Sequence, residues 1–131
     1  MTAADVVSTH YDILNRGDFD AWHDLLAPEL VTHHGSAGDI VGRETFVEAI
    51  RTYRNSFPDL SVELHRVIED GDLAAAQFTS RATFVHDYFG IPATGKPWEL
   101  PGMGFYRIDG GRLVEVWWVE DITGWMQRLA G

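Results

Sequence analysis

The stretch Val116-Trp117-Trp118-Val119-Glu120-Asp121 puts two carboxylates beside two indoles. A carboxylate kept dry by indole and aliphatic neighbours has its pKa raised, by up to ~3–5 units for full burial. That brings it toward neutrality, where a general base works best. On an extended strand Leu113, Glu115, Trp117, Val119 and Asp121 share one face, and Val114, Val116, Trp118 and Glu120 share the other. If Trp117 faces a pocket, Asp121 stands at its wall as a candidate base. Asp121 also directly precedes Ile122-Thr123-Gly124, where Asp is a preferred helix N-cap. The two roles compete, because a capping carboxylate is stabilised in its charged form. His86 shares a face with Phe78, Ser80, Ala82 and Phe84, and is either a proton donor or a structural side chain. Arg81, on the opposite face, is expected to pair with a nearby carboxylate.

Other chemistries are excluded. The chain has no cysteine, so disulfides, zinc fingers and thiol nucleophiles are ruled out. No Gly-x-Ser-x-Gly elbow occurs, so a Ser-His-Asp triad is not indicated. His33 and His34 are adjacent, and in a strand they point to opposite faces and cannot share one ion. No metal and no cofactor are expected. Gly90-Ile-Pro-Ala-Thr-Gly95-Lys96 has the glycine and lysine spacing of a phosphate-binding loop. It is followed by Pro97 and a strand pattern instead of a hydroxyl residue and a helix, so it reads as a turn-rich loop. The net charge of −10, with no basic run, argues against nucleic acid and against an anionic membrane surface. No apolar stretch reaches about 18 residues and no signal pattern opens the chain, so a cytoplasmic protein is expected.

These residues must be positioned by one domain over residues 1–131, a length too short for two independent cores. Val6, Val7, Tyr11 and Leu14 recur at helical spacing behind a Thr2/Asp5 capping box, and Gly17 suits a left-handed stop. Asp18 is expected to cap a second short helix carrying Phe19, Trp22, Leu25 and Leu26, which Pro28 ends. Residues 30–34 are expected to be extended. A third helix starts near Arg43, with Phe46, Ile50, Tyr53 and Phe57 on its buried stripe, and closes at Ser56-Phe57-Pro58-Asp59. From Leu60 the period changes to two. Strands are predicted over 60–69, 73–88, 97–108 and 112–120, with turns at Asp70-Gly71 and Asp109-Gly110-Gly111 and a bend at Gly102 and Gly104. A short helix over 122–129 ends the chain. Helices followed by hairpin-linked strands make an α+β fold, in which a bent antiparallel sheet over three helices leaves a one-mouthed cavity.

The pattern resembles the SnoaL-like polyketide cyclases of the NTF2-like superfamily. Trp117-x-x-x-Asp121 with Gly124, Gln127 and Leu129 resembles their C-terminal signature, and the Gly90–Lys96 stretch their mid-chain loop. Phe57-Pro58-Asp59, Val31-Thr-His33, and Arg107-Ile-Asp-Gly110 through Val114-Glu115 resemble further family elements. The resemblance runs over residues 6–129. It implies a cone-shaped α+β barrel, commonly a homodimer through the outer sheet surface. It also implies metal-free intramolecular aldol ring closure, with a pocket aspartate matching Asp121 as acid/base. His33 and His86 are then candidate proton donors, and Trp117, Phe84, Trp98, Phe57 and Tyr53 candidate substrate-binding residues. The family strand often reads Gly-Thr-His-Thr-Gly, whereas here Ala82-Thr83-Phe84-Val85-His86 puts Phe84 at the histidine position. His86 lies two residues on, displaced by roughly 7 Å along a strand. The expected substrate is small, apolar or aromatic, and neutral, because a protein at −10 repels anions. Two other readings stay open: an epoxide hydrolase of the same architecture, using Asp121 with Asp59, and a non-catalytic binding protein.

Overall fold

The computed structural model describes residues 1–131, the side chain of Ser36 excepted. Helix α1 spans Ala3–Arg16. Its capping box is present: Thr2 Oγ1 accepts from the Asp5 N–H at 3.1 Å and Asp5 Oδ2 from the Thr2 N–H at 3.0 Å. Gly17 ends it at φ 70°, the left-handed region a glycine enters without strain. The second helical segment is a 3-10 turn, Phe19–Ala21, running into the single turn α2, Trp22–Leu25. Asp18 makes no capping bond to it. Strand β1, Leu26–His33, begins earlier than expected. Pro28 lies inside it, where the ladder to its neighbour shifts register and a missing N–H is tolerated. A short edge strand β2, Asp39–Val41, was not foreseen, being only three residues long. Helix α3 spans Arg43–Ser56.

Strands β3 (Ser61–Asp70), β4 (Leu73–Thr83), β5 (Pro97–Asp109) and β6 (Arg112–Glu120) form consecutive antiparallel hairpins, and α4 (Ile122–Leu129) ends the chain. The six-stranded order is β2-β1-β6-β5-β4-β3, with β1 parallel to β6. The curved, unclosed sheet wraps α1 and α3, giving the cone of an NTF2-like α+β fold. The apolar stripe of α1 (Val6, Val7, Tyr11, Ile13, Leu14) meets Phe78, Leu100 and Tyr106 from the sheet in one core.

Two departures bear on function. Strand β4 stops at Thr83 instead of residue 88. The Val85 and His86 N–H groups both donate to the Ser56 carbonyl, at 3.0 and 3.2 Å, which draws the chain out of the sheet. The second departure is a bulge in β6. Ile108 pairs with Leu113 but Arg107 pairs with Glu115, so Val114 is an extra residue without a cross-strand partner. Leu113 points into the core before it, and Val116 points into the core after it. The bulge therefore reverses the face assignment for every later residue of the strand.

Candidate active site

The concave side of the sheet encloses a cavity of about 700 Å³. α1 supplies His10, Tyr11 and Leu14; α3 supplies Phe46, Ile50 and Tyr53; β6 supplies Trp118 and Glu120; and α4 supplies Ile122, Trp125 and Met126. The exposed Ala37, Gly38 and Phe89 also line it, so that end meets solvent.

Glu120 is the one carboxylate among the lining residues. Among the described residues it has no hydrogen-bond or ion-pair partner, and burial pushes its carboxyl up to about 7. Its placement depends on Gly102, directly opposite on β5. A Cβ at Gly102 would lie 2.7 Å from Glu120 Cγ and 2.7 Å from Phe78 Cζ. Gly104 does the same for the next inward residue, since a Cβ there would lie 2.9 Å from Trp118 Cδ1. The two glycines, expected to bend the strand, are the recesses into which the inward side chains of β6 fit.

Three polar groups meet at the cavity wall, Tyr11 and Trp118 lining it and Tyr106 buried behind them. The Tyr11 and Tyr106 hydroxyls are hydrogen-bonded to each other, and the Trp118 Nε1–H donates to both, at 3.0 and 3.2 Å. Burial raises Tyr11 well above the ordinary phenol range and Tyr106 to about 12, so both stay protonated. His10 is buried on α1, stacked on Trp22 at 5.3 Å between ring centroids, and its Nδ1 has no partner. Burial pulls its pKa down to about 3, so the imidazole is neutral. His34 bonds Thr32 Oγ1 through Nε2 at 2.9 Å and tilts over Trp118. Burial lowers its pKa as well.

The residues singled out from sequence are scattered by comparison. Asp121 is exposed, does not line the cavity, and caps α4 by accepting the Gly124 N–H at 3.0 Å. This corrects the expectation of a dried base at 121, and the Val114 bulge is the physical reason. Trp117 is 38 % exposed on the outer sheet face for the same reason. His33 is also outside, clamped between Asp39 at 2.9 Å and Glu115 at 2.7 Å, which raises its pKa, Glu115 contributing most. Both ring nitrogens face carboxylates, so it serves an ion-pair network that continues to Arg107. His86 is exposed on the loop after β4. Phe57, Phe84 and Trp98 are buried behind the cavity wall in an aromatic cluster, while Tyr53 lines the cavity itself. Asp59 accepts two bonds from Thr83, both at 2.8 Å, which pins the end of β4 and separates it from Asp121's role at α4. Arg81 pairs with Glu63 and Glu99, as its strand position suggested. Among the described residues no three His, Asp or Glu side chains gather in a metal-holding group.

Glu120, His10 and Tyr11 were missed or undervalued, although signals existed. Glycines two apart on β5 marked a strand needing room on its inner face. His10 falls on the same helical stripe as Val6, Val7, Ile13 and Leu14.

The sequence profile of the SnoaL-like polyketide cyclase family matches residues 4–129, and the chain belongs to that family. Among solved structures it is similar to IdmH, a candidate polyketide cyclase from Streptomyces antibioticus, at 28 % identity and TM-score 0.87 over 100 % of both chains. A candidate SnoaL-like polyketide cyclase from Jannaschia sp. CCS1 shares the fold at 19 % identity and TM-score 0.89, over 98 % of this chain and 92 % of its own. AclR, a candidate hydroxylase from Streptomyces galilaeus, shares it at 21 % identity and TM-score 0.83, over 97 % and 94 %. Among curated proteins none matches in sequence. No helix is long and apolar enough to cross a membrane.

Proposed function

We propose that the protein is a cytoplasmic cyclase of small, neutral, aromatic ketones, closing a ring by an aldol-type step with Glu120 as general acid/base. Glu120, ionised, takes the proton from a carbon next to a carbonyl, and the C–H electron pair moves into the enolate. The enolate carbon then bonds to a second carbonyl carbon of the same molecule. The alkoxide formed there takes the proton back from the Glu120 carboxyl. Atoms and charge balance, and the product is an isomer of the substrate, which requires no cofactor.

The observation that carries this reading is a carboxyl without partners in an apolar cavity, held near neutral pKa by burial alone. The aromatic lining suits flat ring systems, and the net charge of −10 favours neutral ones. The test is deuterium incorporation at the carbon next to the carbonyl of 2-tetralone in D2O, followed by NMR. The wild type is expected to accelerate exchange over buffer, and Glu120→Gln to lower that rate by about 10²-fold or more. Exchange by Glu120→Gln at the wild-type rate would remove Glu120 as the base, and no acceleration by the wild type would leave only a binding protein.

We further propose a homodimer through the outer sheet face. There Met103 pairs across strands with Val119, and Phe105 with Trp117. These four stand 52 %, 70 %, 59 % and 38 % exposed, a continuous apolar patch on the face opposite the cavity.

A further inference from the structure

From the hydrogen-bond count in the Tyr11–Tyr106–Trp118 cluster, we infer that the Tyr11 hydroxyl is the donor that receives the substrate's carbonyl oxygen, with Tyr106 and Trp118 as positioning residues. The inference rests on the ketone reading above and adds where the oxygen sits.

The cluster holds three protons and two acceptor oxygens. The indole N–H can only donate, and it points at both phenol oxygens, at 3.0 and 3.2 Å. One proton suffices for the bond between the two hydroxyls. One hydroxyl proton is therefore left over, and the question is which residue owns it. Tyr106 is 0 % exposed and, among the described residues, bonds only to Tyr11 and Trp118. If Tyr11 donated to Tyr106, the Tyr106 proton would be buried without an acceptor, which is unfavourable. If Tyr106 donates to Tyr11, every proton in the wall is used and the spare one belongs to Tyr11. Tyr11 lines the cavity, so that proton is available to a ligand. Its oxygen then accepts from the indole and from Tyr106 while donating to nothing in the protein. Accepting two bonds polarises its own O–H and makes it a stronger donor.

The arrangement fits an oxygen that gains negative charge during the reaction. Glu120 removes the proton from carbon, the electron pair shifts onto the carbonyl oxygen, and a preorganised donor lowers the energy of that enolate. Burial keeps the Tyr11 phenol protonated, so it remains a donor throughout. The elements that hold the cluster are independent of one another: Tyr11 comes from α1, Tyr106 from β5 and Trp118 from β6. The Gly104 recess lets Trp118 reach the two phenols.

The probe is 2-tetralone carrying ¹³C at its carbonyl, bound to the Glu120→Gln protein so that no exchange intervenes. Its infrared carbonyl band is expected to move to lower frequency than in cyclohexane. Tyr11→Phe in the same background is expected to return the band to the cyclohexane position and to weaken 2-tetralone about five- to tenfold. Binding of tetralin, the same frame without oxygen, is expected to be unchanged. Tyr106→Phe is expected to give an intermediate band, because Tyr11 keeps its proton but loses one polarising partner.

A band at the cyclohexane frequency in the parent protein, or no saturable binding of 2-tetralone, overturns the inference. So does a band that Tyr11→Phe leaves in place, or a loss of tetralin binding equal to the loss of 2-tetralone. Should Tyr11→Phe not fold, Tyr106→Phe decides, and an unchanged band there counts against the inference. The base assignment is judged separately: failure of wild-type exchange would sink Glu120 and leave the carbonyl result standing.

Discussion

Glu120 and Asp121 are neighbours in sequence with opposite environments, and each environment sets its own experiment. Glu120 keeps its proton in the folded chain up to about pH 7, whereas an unperturbed glutamate releases it at 4.5. Between those values the folded state binds more protons than the unfolded one, so stability falls as pH rises through the window. The loss reaches at most about 3 kcal/mol above pH 7. Glu120→Gln is therefore expected to be more stable than wild type at about pH 8 and equal to it at about pH 4, as read by urea denaturation. Exchange activity follows the opposite course, rising with pH to a plateau with a midpoint near 7, since only the carboxylate accepts a proton. Asp121→Ala is expected to cost about 1 kcal/mol through the lost cap while leaving exchange intact. Loss of exchange in Asp121→Ala with exchange retained in Glu120→Gln would return the chemistry to Asp121.

At the scale of elements, the helices α1 and α3 and the hairpins were legible because capping, apolar period and turn residues agree with one another there. The faces of β6 were not legible. Period-two reading from Leu113 gives Trp117 and Asp121 the inner face, and nothing in the residue types of Val114-Glu115 announces an extra residue. The limit of β4 was hidden for a related reason: the carbonyl of Ser56, distant in sequence, captures two N–H groups that period two assigns to the strand. The glycines of β5 carry the element-scale prediction. Gly102→Ala would place a methyl 2.7 Å from Glu120 Cγ and from Phe78 Cζ. It is expected to destabilise by about 1–3 kcal/mol through overpacking. It is also expected to displace the carboxyl, so that exchange falls and the midpoint of its pH profile moves. A variant with both quantities unchanged would show that the recess has no part in placing Glu120.

The molecule as a whole puts a wet opening and a dry interior on one side of a single sheet and an apolar patch on the other. If a second copy covers that patch, Phe105→Glu together with Val119→Glu is expected to give a monomer in sedimentation velocity, with the cavity chemistry retained. An unchanged sedimentation coefficient at all concentrations would remove the dimer proposal. Strand β6 serves both sides, alternating Trp118 and Glu120 inward with Trp117 and Val119 outward. Val114 therefore acts as a phase setting for the whole molecule. Pairing that single residue into the ladder instead would swap the two rows, carrying the acid out to bulk water and turning the would-be contact surface into the hollow. One residue held out of the ladder, in a strand whose side chains all stay the same, is what keeps reactivity and stickiness on opposite sides.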